Sequence, residues 1–387
     1  MRIVHAITCL LRAGAEENTI ATCNAQAARG YDVWLVFGRD VDQSTLAMVD
    51  DRVQTVQESI LLREISPVAD ARATFRLTRF FREIAPDVVH THQSKAGFLA
   101  RYAARRAKVP IILHGVHILP FLNVSAPKRA VYLAMERLVA PYTDAFLSVS
   151  KGMRDAGIAA GLGKPDQHHI VYSGMDLERF RNASVPDGRP TGSMIVFVAS
   201  LEERKQHSAF IRIFANLVGR HPDLTLCLFG QGELEDPLKA EVADLGVGGN
   251  VRFMGFRSDV EQWIAAADIC VLPSLREGLP RVVVQYVAAG KPVVVTDLPG
   301  IEEIVQDGEN GFVVGMKAFG DMENVIERLL SEHGLAERMA RASRVVDLSR
   351  WSVAGMEPKI NEIVLGLFRK KGLEARIGPH AVSAPAK

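Results

Sequence analysis

Short runs of successive apolar residues alternate with longer stretches of helical period along nearly the whole chain. Runs that are apolar at consecutive rather than alternate positions mark parallel strands covered by helices on both faces. Strands are expected at 2–7, 32–37, 87–90, 110–113 and 145–149, and again at 194–198, 225–229, 251–254, 269–272 and 292–296, with helices between them. The pattern therefore predicts an α/β protein of two Rossmann-like, doubly wound domains. Between the two series, Arg181-Asn-Ala-Ser-Val-Pro-Asp-Gly-Arg-Pro-Thr-Gly-Ser193 has no apolar period and is dense in Pro, Gly and small polar residues. It reads as a linker. The expected division is a first domain over 1–181, a second over 194–350, a helical segment over about 351–371 and a short Pro/Ala-rich tail over 372–387. No repeat of fixed short period is present.

Composition narrows the partners. Lys+Arg 46 against Asp+Glu 45 leaves a net charge of +1, so nucleic acid is not an expected partner. The cysteines Cys9, Cys23, Cys227 and Cys270 have neither metal-ligand spacing nor the density of a disulfide scaffold, and are expected to be reduced. The opening apolar run soon meets Arg12, Glu16 and Glu17, unlike a signal peptide, and no later run has the length of a transmembrane helix. A cytoplasmic location is expected, with a peripheral place at the inner face of the membrane left open.

Ligands of doubly wound sheets bind at the carboxyl ends of strands, beside glycine turns and helix N-termini. Phe229-Gly-Gln-Gly-Glu233 and Arg12-Ala-Gly-Ala-Glu16 each follow a strand, and their glycines serve either close approach to a ligand or a tight turn. More informative is Pro273-Ser-Leu-Arg-Glu-Gly-Leu-Pro-Arg281, a polar turn between an apolar strand and a helix. It holds Glu277 and Gly278 where the free N–H groups of the helix start could meet a phosphate. Gln285 lies eight positions after Glu277, a little over two helical turns, and can face the same side. Glu277 could equally be a carboxylate stabilising the helix start.

These motifs resemble the retaining glycosyltransferases of family four, which have the GT-B fold and a signature of Glu, seven residues, Glu. Glu277 stands at the first position and Gln285 at the second. Ala199-Ser-Leu-Glu-Glu-Arg-Lys205, Phe229-Gly-Gln-Gly-Glu-Leu234, Val251-Arg-Phe-Met-Gly-Phe256, Ala267-Asp-Ile-Cys-Val-Leu-Pro-Ser274 and the segment from Thr296 to Gly311 are similar to the family's run in the same order. In the first half, Ile7-Thr-Cys-Leu-Leu-Arg-Ala-Gly14, Asp87-Val-Val-His-Thr-His-Gln-Ser-Lys95, His114-Gly-Val-His117 and the segment from Val171 to Phe180 are similar as well.

The resemblance implies a hexosyltransferase that uses a nucleoside-diphosphate sugar as co-substrate, needs no metal, and acts on a glycan or lipid-linked acceptor in surface polysaccharide or lipopolysaccharide biosynthesis. It places Glu277 and His117 at the reaction centre. Donor contacts would come from Lys205, Arg204, Ser200, Gly230, Phe256, Gly278, Leu279, Pro280, Gln285, Gly14 and Arg12. His92, Lys95 and His114 would lie on the acceptor side, His114 being the competitor of His117. The last helix, 351–368, would cross back to the N-terminal domain.

Two positions depart from the family. Ser200 stands where an Arg usually supplies a bidentate phosphate contact, and either Arg204 or Arg12 could replace it. Gln285 replaces a carboxylate by an amide that can still accept from a hydroxyl. A nucleotide-sugar epimerase and a non-catalytic sugar-nucleotide-binding protein are the competing readings. Separately, Arg72, Arg76, Arg79 and Arg82 recur at helical spacing. This stripe is either a solvated face or a contact with anionic membrane lipid or a lipid-diphosphate.

Overall fold

A computed structural model describes residues 1–122 and 124–377; the tail expected from 372 onward lies outside the described residues after 377. The chain divides into two compact units, Met1–Met175 with the residues from Ser349 onward, and Asp176–Leu348. The proline-rich stretch after Arg181 runs within the second unit. Arg189 anchors it there, with one nitrogen 2.8 Å from Asp268 and another donating to the Ala266 carbonyl at 3.0 Å.

The first unit is built on a parallel sheet of β1 (Arg2–Ile7), β2 (Asp32–Phe37), β3 (Gln54–Gln57), β4 (Val88–His92), β5 (Ile111–Val116), β6 (Ala145–Ser148) and β7 (His168–Ile170), in the order β3-β2-β1-β4-β5-β6-β7. The helices Gly14–Ala28 and Val353–Lys370 cover one face, where Ile20, Cys23, Met356, Ile360, Val364 and Phe368 join Ile3, Ile7 and Leu35. Each such side chain contributes about 1.5–3 kcal/mol by leaving water. Arg29, just past the end of the first helix, grips Glu357 on the second through Nε at 2.7 Å, and Tyr31 donates to Asn361 at 2.6 Å. The last long helix therefore packs within the N-terminal unit, as expected. Leu77, Phe81, Leu99 and Ala103, from the helices Pro67–Ile84 and Ser94–Ala107, close the other face.

In the second unit, β8 (Met194–Val198), β9 (Thr225–Phe229), β10 (Val251–Gly255), β11 (Ile269–Leu272), β12 (Val293–Thr296) and β13 (Gly311–Val314) form a parallel sheet ordered β10-β9-β8-β11-β12-β13. The strand order reverses between β1 and β4 in one sheet and between β8 and β11 in the other. Each reversal opens a crevice beyond the carboxyl ends of that strand pair.

The edge strands β3, β7 and β13 have no counterpart in the sequence expectation. β4 and β5 also run further than expected, because His90, Thr91 and His92 pair with Leu113, His114 and Gly115 in the ladder. Polar residues disguise this continuation. All four cysteines are free and buried.

Candidate active site

In the second unit the loops after β8 and β11 meet at the reversal of strand order. The Leu275 N–H donates to the Arg204 carbonyl at 2.8 Å, and the Gln206 side chain donates to the Pro273 carbonyl at 2.7 Å. Gln206 adopts φ 58°, which lets the helix His207–Val218 begin directly after Lys205. The loops thus bring Lys205, Arg204 and Glu277 together from positions more than seventy residues apart. Lys205 Nζ bonds Glu277 Oε1, and Arg204 reaches Glu277 Oε2 at 3.1 Å and Glu202 at 3.0 Å.

The side chains of Glu277 and Lys205 are each 11% exposed. Burial alone pushes the Glu277 carboxyl up, but the charges of Lys205 and Arg204 outweigh it and hold the group below the usual carboxylate range. Glu277 is therefore ionised at neutral pH. Two cations face two carboxylates, Glu277 and Glu202, so local charge balances. A dianion entering this crevice must share Lys205 and Arg204 with them.

Ser200 bonds Glu202 rather than reaching Glu277. Of the two candidates for the missing cation, Arg204 stands against Glu277. Arg12 is in the first unit, exposed and 3.1 Å from Ser44. Gly230, at φ 138°, is demanded by backbone packing, since a Cβ there would lie 1.9 Å from the Ala199 carbonyl oxygen. Its N–H donates to the Gly255 carbonyl at 2.8 Å, tying the ends of β9 and β10 together beside the partly exposed ring of Phe256.

Gly278, Leu279 and Pro280 lead into the helix Arg281–Ala288, on which Gln285 is half-buried. The Arg281 N–H, expected to point at a phosphate, donates to the Leu279 carbonyl at 2.9 Å. Pro280 has no N–H to donate.

In the first unit the crevice lies at the ends of β1, β4 and β5. Gly14 opens the helix Gly14–Ala28. Gln93, held at φ 59°, accepts from the Thr8 N–H at 3.1 Å and donates to buried Glu16 at 2.9 Å, joining the ends of β1 and β4. Burial raises the Glu16 carboxyl above its usual range.

The histidines separate by sheet register. His114, paired opposite Thr91, bonds Thr91 Oγ1 at 2.9 Å and stands edge-on to Phe146. It is a packed residue on the face covered by the helix Ser94–Ala107, where Gly97 leaves room for its ring. His92, expected on the acceptor side, points to the other face and is only 1% exposed. It bonds His117 at 3.0 Å, and His117, half-buried past the end of β5, is the exposed end of the pair. Lys95 pairs with Asp70 at 2.6 Å, which occupies the charge expected to meet an acceptor phosphate.

His5, His90 and His92 carry ring nitrogens within 4.8 Å of one another, an arrangement compatible with a metal ion. Glu202, Glu16, Gln93, His5 and Gln26 are site neighbours that motif reading missed. The available signal was His5, a polar residue on the core-facing parity of an otherwise apolar strand.

A family model described as Glycosyl transferases group 1 matches residues 180–346, and one described as Glycosyl transferase 4-like domain matches 13–174. The glycosyltransferase-family protein EpsD of Bacillus subtilis is 31% identical over 276 residues, which is 67% of this chain and 71% of that protein. The UDP-Gal:alpha-D-GlcNAc-diphosphoundecaprenol alpha-1,3-galactosyltransferase of Escherichia coli is 25% identical over 335 residues, 84% of this chain and 86% of that one. Among solved structures, Anabaena Alr3699/HepE in complex with UDP-glucose is similar with a TM-score of 0.80 at 20% identity, covering 95% of this chain and 100% of that one.

The fold is thus that of the GT-B glycosyltransferases, a Rossmann-like unit for each half of the chain. The chain belongs to the group 1 glycosyltransferases, family four. No helix among the described residues is long and apolar enough to cross a membrane.

Proposed function

We propose that this protein transfers a hexose or amino sugar, with retention of anomeric configuration, from a nucleoside-diphosphate sugar to a glycan or lipid-linked acceptor of a bacterial surface polysaccharide. The observation that carries the reading is the ionised Glu277 held by Lys205 and Arg204 at the strand-order reversal of the second sheet. Sugar transfer needs the leaving diphosphate's charge held and the donor sugar oriented. Lys205 and Arg204 supply cations for the diphosphate without a metal, Glu277 accepts hydrogen bonds from sugar hydroxyls, and Phe256 offers a ring for the base. His117 accepts from a hydroxyl near the reacting carbon.

Support comes from relatives whose names specify such chemistry, a galactosyltransferase acting on a diphosphoundecaprenol-linked sugar and a GT-B neighbour holding UDP-glucose. A panel of sugar nucleotides offered with and without acceptor glycan tests the proposal. Transfer makes nucleoside diphosphate release depend on acceptor. An epimerase interconverts two sugar nucleotides without acceptor, and a binding protein does neither.

The proposal includes a cytoplasmic working place at the inner membrane face, with contact through the helix Pro67–Ile84. Its Phe75 ring is 71% exposed between Arg72 and Arg76, at a hollow of about 360 Å³ lined also by Ile60 and Ala71. Arg76 is already paired with Glu58 at 2.9 Å, so Arg72 and Arg79 are the better probes. Reversing both to Glu is expected to reduce cosedimentation with anionic vesicles, more so at low salt. Absence of vesicle binding by the parent protein would leave this helix as an ordinary solvated face.

A further inference from the structure

Behind His117 lies a row of buried imidazoles that the proposed reaction does not by itself require. The Nε2 atom of His117 lies 3.0 Å from His92 Nδ1, His92 Nε2 lies 3.0 Å from His5 Nδ1, and His5 Nε2 lies 2.8 Å from Gln26 Oε1. Ring centres are 5.3 Å apart in both histidine pairs. That separation is what two imidazoles meeting nitrogen to nitrogen at 3.0 Å give when the contact is head-on, the N–H of one aimed along the lone pair of the next. A shared metal ion would instead hold the two nitrogens at an angle and further apart. Gly115 makes the chain possible, since a Cβ there would lie 2.9 Å from His92 Nδ1 and 3.3 Å from His117 Nε2.

Each neutral imidazole has one donor and one acceptor nitrogen, so the direction of one bond fixes the next. The Gln26 carbonyl accepts from His5 Nε2–H. His5 Nδ1 must then accept from His92 Nε2–H, and His92 Nδ1 from His117 Nε2–H. The three rings share one tautomer, which leaves Nδ1 as the acceptor nitrogen of His117. The chain ends on an amide, which neither takes nor releases a proton, so it sets a direction and conducts nothing. Burial keeps the inner rings neutral: it lowers the His5 pKa to about 4 and, with neighbouring histidines adding to the effect, holds His92 well below its usual value. The His90 ring lies tilted against His92 with centres 4.2 Å apart, and its ring nitrogens make no hydrogen bond among the described residues, so it does not compete for the chain.

We propose that Gln26, His5 and His92 are positioning residues that lock His117 in the Nε2–H tautomer, presenting its Nδ1 as a hydrogen-bond acceptor for a hydroxyl in the transfer reaction. The catalytic part of this inference rests on the role of His117 proposed above; the tautomer itself does not.

The test is a long-range proton–nitrogen correlation spectrum of the full-length protein with 15N-labelled histidine, alongside steady-state kinetics. The parent protein is expected to show His117 protonated on Nε2. In Gln26→Leu the anchor is lost, and the chain is free to reverse toward Nδ1–H at His117. The expected result is a shifted His117 tautomer with kcat down about tenfold and donor KM unchanged. Gln26→Glu, which still accepts from His5, is expected to keep the parent tautomer and restore kcat.

An unchanged tautomer in folded Gln26→Leu would overturn the chain, and a shifted tautomer with unchanged kcat would overturn its role in catalysis. One equivalent of tightly held zinc in dialysed protein, lost in His5→Phe, would overturn it in favour of a metal site. If the parent transfers no sugar from any donor, the proposed function fails, while the spectrum still decides the chain.

Discussion

Glu277→Gln is expected to slow sugar transfer by roughly tenfold or more, about 1.4 kcal/mol of transition-state stabilisation, while nucleoside diphosphate stays bound. Glu277 is held ionised because Lys205 and Arg204 outweigh the cost of its burial. The amide keeps the shape but accepts hydrogen bonds less strongly and cannot stabilise positive charge developing on the donor sugar. The same substitution releases two cations from a carboxylate. Diphosphate affinity should therefore hold steady or rise, which separates this variant from one that merely damages the pocket. Turnover equal to the parent's would remove Glu277 from the mechanism.

Lys205→Ala should act in the opposite sense, on binding. Loss of one charge-assisted hydrogen bond to the diphosphate is expected to weaken it by about 1.5–3 kcal/mol, roughly one to two orders of magnitude in Kd. The substitution also removes the nearest charge that depresses the Glu277 pKa. The acidic limb of the activity profile should therefore move to higher pH, because Glu277 then protonates at a higher pH than in the parent. Melting curves guard against a folding defect from a buried carboxylate left with Arg204 as its remaining cation. Unchanged diphosphate affinity, measured calorimetrically, would move the phosphate site elsewhere.

Much of this arrangement is legible along the chain. An apolar strand, a polar turn and an immediate helix mark the Glu277 loop, and both sheet centres are written in consecutive apolar residues. The edge strand Gln54-Thr-Val-Gln57 is less visible because an edge needs less apolar cover, and three of its residues are exposed.

The histidines show a different limit. His114 and His117 are three residues apart, but only the register that sets Thr91 opposite His114 and His92 opposite Gly115 separates their faces. The placement of Arg204 against Glu277 has the same character, since it depends on how the loop after β8 folds onto the loop after β11. Lys95 is informative in the other direction. Its partner Asp70 sits on the preceding long helix, a pairing no local pattern announces.

The central claim is that a donor sugar reaches its acceptor at the crevice holding Glu277. The most direct measurement follows a sugar-labelled nucleotide donor and a lipid-linked or glycan acceptor in one reaction, counting nucleoside diphosphate released and label gained by the acceptor, for the parent and for Glu277→Gln. The account predicts one labelled acceptor for each nucleoside diphosphate released by the parent, and a rate at least roughly tenfold lower in the variant. Label that stays in sugar nucleotides, or moves to the acceptor equally fast in both proteins, would contradict it.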